Sequence, residues 1–236
     1  PMDREVGDAL VEDPRFKLLS FTGSPDVGWA MKNRAGMKKV VLELGGNAGV
    51  IVDSDADVDF AVNRIKVGAF AYSGQVCISV QRVFVHEDVY DEFRDKLVTA
   101  VESIKLGDPL DRTTDLGPMI DRKSLLRTRN WVEDSAKEGA TILTGGEDTE
   151  GFFQPTVIEN ASPESFVCSK EAFAPLVTIS PVKSFGEAIR KVNDSDYGLQ
   201  AGVFTNNLEK ALVAFENIEA GGVIIKRGEL GRFLWA

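Results

Sequence analysis

Cysteine is almost absent from this chain: its 236 residues hold two, Cys77 and Cys168, too few for a disulfide framework in a polypeptide of this size. Histidine occurs once, at His86, so no zinc site can be assembled from the usual ligands. Basic residues are outnumbered, 27 Lys and Arg against 37 Asp and Glu, and form no run, which argues against nucleic acid or an anionic membrane as partner. The resulting net charge of -10 reads most simply as solubility. No apolar stretch approaches a membrane span, and Pro1-Met2-Asp3-Arg4-Glu5 has no apolar signal core, so the expected location is cytoplasmic. Internal repeats and low-complexity tracts are also missing.

What is present is a hydrophobic content of 43%, enough for a sizeable core in one large or two modest domains. Apolar runs alternate with amphipathic stretches, the rhythm of an α/β fold with a mainly parallel sheet. Strands are predicted near residues 17–21, 40–44, 50–52, 81–86, 141–143, 176–182, 202–204 and 222–225. Helices are predicted over 57–71, 89–104, 121–138 and 185–193. The first has Asp53-Ser54-Asp55 before it, suited to capping, and the last has Ser184 as its cap. Val89, Phe93, Leu97, Ala100, Val101 and Ile104 fall at helical spacing, a core-packing face. Residues 106–118, rich in Gly, Pro, Asp and Thr, read as a loop.

Two segments carry candidate chemistry. Ser73-Gly74-Gln75-Val76-Cys77 places a thiol beside a glycine that admits close approach, and Leu42-Glu43-Leu44-Gly45-Gly46-Asn47 places a carboxylate among apolar residues. A cysteine nucleophile forms a thioester that is cleared only when a base activates water, so the pair is what covalent thiol chemistry requires. Read singly, Cys77 is more simply a structural cysteine and Glu43 a strand end running into a turn. Cys168 reads as a small packing residue and His86 as a strand-edge histidine. A third segment, Gly23-Ser24-Pro25-Asp26-Val27-Gly28, follows a strand and opens a helix. That arrangement offers unpaired N–H groups to an anion, although it departs from the G-x-G-x-x-G pattern and equally suits a plain βα turn with Ser24 as cap.

The order and spacing of these segments resemble the aldehyde dehydrogenase superfamily, from about Glu5 to Ile225. Phe21-Thr22-Gly23-Ser24 with Val27-Gly28 resembles the family's cofactor-phosphate turn. Glu171-Ala172-Phe173-Ala174-Pro175 is similar to its Glu-x-Phe-Gly-Pro segment, and Asp196-Tyr197-Gly198-Leu199 to a further signature. The resemblance implies an α/β fold: a parallel-sheet catalytic domain of aldehyde dehydrogenase type with a partial Rossmann-like cofactor domain. It divides the chain into 1–47, a remnant of the nucleotide-binding domain, 48–225, the catalytic domain, and an atypical tail at 226–236. It implies oxidation of an aldehyde to a carboxylic acid with NAD or NADP. Cys77 would attack the aldehyde carbon, its own N–H helping to hold the oxyanion, and a thioester would follow. Glu43 would activate the hydrolytic water, its carboxyl raised by Val41, Leu42 and Leu44. Gly23, Ser24, Gly28, Leu44, Glu171 and Phe173 would touch the cofactor, Glu171 through the ribose hydroxyls and Phe173 beside the nicotinamide. No metal is implied.

Departures from the family pattern set further expectations. Ala174 stands where the family has Gly, a methyl expected to tighten or misplace the turn. The family's upstream oxyanion Asn, first βαβ units and adenosine-side Lys have no counterpart before Pro1, so the isolated chain is expected to be an impaired, truncated enzyme. The alternative is a non-redox domain with a binding role or weak thiol esterase activity. Coenzyme-A-acylating relatives generally lack the water-activating Glu, so Glu43 favours hydrolysis. Small aldehydes such as lactaldehyde or semialdehydes are the expected substrates, and homo-oligomers are expected of the full-length family.

Overall fold

A computed structural model describes residues 4–226, and the chain divides into two compact units, Pro1–Gly45 and Gly46–Ala236. In the first, helix α1 (Arg4–Glu12) precedes strand β1 (Leu18–Thr22), helix α2 (Pro25–Arg34) and strand β2 (Lys39–Glu43). The two strands pair in parallel with Thr22 opposite Glu43, so the turn after β1 lies at the end of β2. Both strands alternate exposed and half-buried positions, the period-2 pattern of a sheet covered on one face.

The second unit is built on β3 (Ala48–Val52), α3 (Val58–Phe70), a one-turn 3-10 helix (Ala71–Gly74), β4 (Val80–His86), α4 (Glu87–Glu102) and α5 (Arg122–Lys137). There follow β5 (Thr141–Thr144), the short pair β6 (Asp148–Thr149) and β7 (Phe152–Phe153), β8 (Thr156–Glu159), α6 (Phe166–Ser169), β9 (Leu176–Val182), α7 (Phe185–Asn193), β10 (Gln200–Phe204), α8 (Leu208–Asn217) and β11 (Gly222–Lys226). Seven strands form one sheet in the order β11-β10-β3-β4-β9-β8-β5. All neighbours run parallel except β5 and β8.

Side chains alternate across this sheet into separate cores. Val50, Val52, Val83, Val85, Val177 and Ile179 pack with α3 and α4, whose Ile65, Phe93 and Leu97 are almost wholly buried. Ile51, Phe84 and Val203 pack with Ala188, Ile189 and Val192 of α7 and Ala214 of α8. Ile158 and Leu176 join Leu125 and Val132 of α5 in a third cluster. Burial on both faces is why the central strands read as continuous apolar runs.

Several sequence expectations need correction. The cap of α3 is Asp57, whose carboxylate accepts the Phe60 N–H at 2.9 Å, not the Asp53-Ser54-Asp55 cluster. Asp53 is instead 1% exposed and paired with Lys210, while Asp55 accepts the Thr205 hydroxyl at 2.8 Å. His86 does more than end a strand: its Nδ1 accepts the Asp88 N–H at 3.3 Å and caps α4, which therefore starts two residues before Val89. Strands β6, β7 and β8 and helices α1, α6 and α8 are additions to the elements read from the sequence. Ser184 caps α7, accepting the Glu187 N–H at 3.2 Å. Beyond Lys226, the proposed tail lies outside the described residues.

Candidate active site

The first unit carries the turn after β1. Gly23 N–H donates to Glu43 O at 3.0 Å and Gly28 N–H to Ser24 O at 3.1 Å, binding the turn to β2 and opening α2. Gly28 is buried, and a Cβ there would overlap the tip of Leu44, so the glycine gives Leu44 its place. The Ser24 hydroxyl makes no capping bond. The turn thus leaves a hydroxyl with no hydrogen bond among the described residues at a helix start, which fits an incoming anion, although Asp26 in the first turn of α2 opposes one electrostatically. Glu43 ends β2 with an exposed side chain, and Val41, on the same face, is 48% exposed. Strand alternation turns Leu42 to the other face, so Val41 is the apolar residue of β2 that shares a face with Glu43.

The second unit carries the thiol. Helix α3 ends at Phe70, and the chain reverses through Tyr72 and Ser73 at φ of 53° and 58°, both in the left-handed region, followed by Gly74 at 66°. Two consecutive non-glycine residues in that region store strain of the kind that clusters at functional sites. The reversal is pinned from the 106–118 loop and its exit: Ser73 Oγ donates to Gly117 O at 2.7 Å, and Gln75 Oε1 accepts the Ile120 N–H at 2.9 Å. Cys77 follows in a tight turn closed by Ser79 N–H on Val76 O at 2.9 Å. Its thiol is free and half-buried, and its own N–H donates to no acceptor among the described residues.

Glu171 lies in the loop after α6, and the backbone of Gly46 joins it to Cys77. Gly46 N–H donates to Glu171 Oε1 at 2.9 Å, while the Cα of Gly46 lies so close to the Cys77 carbonyl that a Cβ would overlap its oxygen. Burial raises the Glu171 carboxyl above its ordinary value, against the opposing pull of the Gly46 N–H and the Arg127 charge. Phe173 is 36% exposed and takes φ of 46°. The expectation that Ala174 misplaces this turn is corrected by that angle. The left-handed residue is Phe173, whereas Ala174 has negative φ and its methyl packs in the core with Ala172 and Leu176. The tight approach falls on Gly74, where a Cβ would overlap the Ala174 carbonyl.

Five side chains support this loop directly or through one another, and three of them, Gln81, Arg82 and Arg127, lie outside the motifs read from the sequence. Opposite Ala48 and Gly49 of β3 stand Val80 and Arg82, so Gln81 is the extra residue of a β-bulge. Its amide donates to Val167 O at 2.8 Å and Lys170 O at 2.7 Å and accepts the Ala172 N–H at 2.9 Å, so one bond lands on α6 and two on the Glu171 loop that follows it. Asn47, 4% exposed, donates to Cys168 O at 2.6 Å and Lys170 O at 3.3 Å. Arg82, 6% exposed, donates to Asn47 Oδ1 at 3.0 Å and to the carbonyls of Lys191, Val192 and Asp194 around the end of α7. Burial lowers the pKa of this guanidinium, and the negative end of the helix offsets part of the cost. Arg127 donates to Ala172 O. Tyr197, in the downstream signature, accepts the Glu171 N–H at 3.2 Å. Cys168 is half-buried on α6, its thiol pushed up by burial and so disfavoured as a thiolate.

The second unit is thus a mainly parallel α/β unit in which one glycine backbone, that of Gly46, touches both the Glu171 carboxylate and the Cys77 carbonyl. The model of the aldehyde dehydrogenase family matches residues 1–232, and the chain belongs to that family. It is 45% identical over 221 residues to the 3-sulfolactaldehyde dehydrogenase of Priestia aryabhattai, spanning 94% of this chain and 46% of the relative. It is 40% identical over 220 residues to the lactaldehyde dehydrogenase of Methanococcus aeolicus, spanning 93% of this chain and 47% of the relative. Among solved structures, aldehyde dehydrogenase 21 from Physcomitrella patens in complex with succinate superposes with a TM-score of 0.93 at 44% identity, covering 98% of this chain and 48% of that one. The chain thus spans about half the length of the relatives it matches. Among the described residues, no group of three or more His, Cys, Asp and Glu could hold a metal, and no helix is long and apolar enough to cross a membrane.

Proposed function

We propose that this chain carries the thiol chemistry of an NAD- or NADP-dependent oxidation of an aldehyde to a carboxylic acid. The observation that supports it most directly is the Gly46 backbone, which binds the Glu171 carboxylate through its N–H and abuts the Cys77 carbonyl. Cys77 Sγ, having given up its proton, attacks the aldehyde carbon and forms a C–S bond. The oxygen becomes an oxyanion, and the unengaged Cys77 N–H is placed on the same residue to donate to it. The nicotinamide, when bound, supplies the acceptor for the hydride whose loss converts the thiohemiacetal into a thioester. Glu43 takes a proton from water as the water oxygen attacks the thioester, releasing the acid and returning the thiolate.

The cofactor fits the residues present in two respects. The turn at Gly23, Ser24 and Gly28, with Leu44 over the last glycine, leaves the Ser24 hydroxyl open to a phosphate. Glu171 Oε1 is used by Gly46, while Oε2 accepts no bond among the described residues and is available to a ribose hydroxyl, with Phe173 exposed beside it in the chain. The relatives named for 3-sulfolactaldehyde and lactaldehyde support a small hydroxyaldehyde as substrate. The excess of acidic residues argues against nucleic acid or an anionic membrane as partner and leaves a small-molecule aldehyde as the expected one.

Incubating the chain with lactaldehyde and either NAD or NADP, and following the absorbance of reduced cofactor, tests the reading. A signal is expected for the wild type and none for Cys77→Ala. Equal rates in the two would end the proposal. Cleavage of an activated ester without cofactor, lost in Cys77→Ala, with no reduced cofactor formed, would reduce the function to thiol esterase chemistry.

A further inference from the structure

Arg127 carries a positive charge that none of the steps above uses. Its Nη2 donates to the carbonyl of Ala172, the residue after Glu171, and its Nε is buried with no partner among the described residues. The guanidinium stacks on Trp131, 5.1 Å from the ring centroid, and Trp131 meets Phe166 of α6 at 5.4 Å. This packing fixes the fork against the loop. The carboxylates whose fields reach it are Glu171 and Asp121. Asp121 is engaged as the cap of α5, accepting the Ser124 N–H at 2.7 Å. Beside Glu171, Tyr197 takes its N–H, and Lys170 lies 3.9 Å from Asp196 and is half exposed. A permanently charged guanidinium with no carboxylate of its own therefore sits against the loop that presents Glu171.

We propose that Arg127 is a positioning residue: bound to the Ala172 carbonyl and stacked on Trp131, it holds the Glu171–Phe173 turn so that Glu171 can accept from the vicinal hydroxyls of a ribose. The proposal rests on the cofactor reading above for its ligand, but not for the effect of the charge on Glu171. That effect is measurable in the free chain. With carboxyl carbons of glutamate labelled, and the Glu171 signal assigned by its loss in Glu171→Gln, a pH titration by nuclear magnetic resonance gives the Glu171 midpoint. Removing a nearby cation disfavours the carboxylate, so Arg127→Gln, which keeps a donor but drops the charge, should move that midpoint upward. Arg127→Lys should restore it toward wild type. Dinucleotide affinity measured by calorimetry should weaken about tenfold in Arg127→Gln, the scale of losing support for a charged hydrogen bond.

An unchanged midpoint in a folded Arg127→Gln overturns the proposal. Should that variant not fold, Trp131→Leu, which removes the stacking and leaves the charge, should raise the midpoint by less; no shift there overturns it equally. A wild-type chain that binds neither NAD nor NADP defeats the cofactor reading, while the midpoint still decides the role of Arg127.

Discussion

The turn after β1 and the turn after α3 both place a glycine where chain meets chain, yet they are held in different ways. In the first unit the turn is bound by Gly23 to Glu43 and by Gly28 to Ser24, and what covers Gly28 is the flexible end of Leu44. In the second, Gly46 abuts the Cys77 carbonyl and Gly74 the Ala174 carbonyl, so rigid backbone is the neighbour, and Tyr72, Ser73 and Phe173 are held at positive φ. Strand burial differs in the same direction: β1 and β2 have no fully buried position, whereas all five of β3 are buried. A strained turn persists only where surrounding structure over-determines it, and the buried sheet with its polar side chains supplies that.

The widest gap between the two turns should come from adding one methyl to each. Gly74→Ala meets backbone and also pays the left-handed penalty, so we expect a loss of about 3 kcal/mol or more in urea unfolding. Gly46→Ala should leave more of the fold intact while displacing Cys77, and thiol alkylation kinetics should change with it. Gly28→Ala, by contrast, should cost less than about 1.5 kcal/mol, because Leu44 can change rotamer. Similar losses at Gly28 and Gly74 would erase the distinction.

Gln81→Leu sharpens the point about polar support. It removes three bonds to α6 and the Glu171 loop and leaves the buried Ala172 N–H without an acceptor, for an expected cost of about 3 kcal/mol. Amide exchange at Ala172 should rise while Gly23 and Gly28 stay unchanged; a uniform rise would mean general destabilisation instead.

The smallest expected effect concerns pH. Because burial raises the folded-state value of Glu171, the folded chain holds its proton to higher pH than the unfolded chain. The stabilisation from this group is present below the unfolded value and is lost as pH rises through the folded one. Glu171→Gln should therefore flatten that decline and be slightly more stable than wild type at neutral pH, by less than about 1 kcal/mol given its partial exposure. Parallel stability–pH curves for the two proteins would contradict this.

Local features were legible in advance. The alternation of apolar runs and amphipathic helices gave the mainly parallel α/β class, and Ser184 was readable as a cap because its partner is three residues away. Asp53 misled because the group it serves, Lys210, is remote in sequence and came from a helix not foreseen. The surroundings of Glu43 were only partly legible: of its apolar neighbours in β2, Leu42 faces the other way and Val41 shares its face. Gln81 could not be found at all: a bulge depends on the register between two strands, which no single-strand pattern encodes.

The sequence by itself determined the strand and helix rhythm, the position of the thiol, the glycines and the family, since each depends on residue type and near neighbours. Only the tertiary structure decided that Gly46 links Cys77 to Glu171 and that Gln81, Asn47, Arg127 and Tyr197 converge on one loop. Those bonds join residues that lie far apart along the chain, and their geometry exists only once the sheet has set its register.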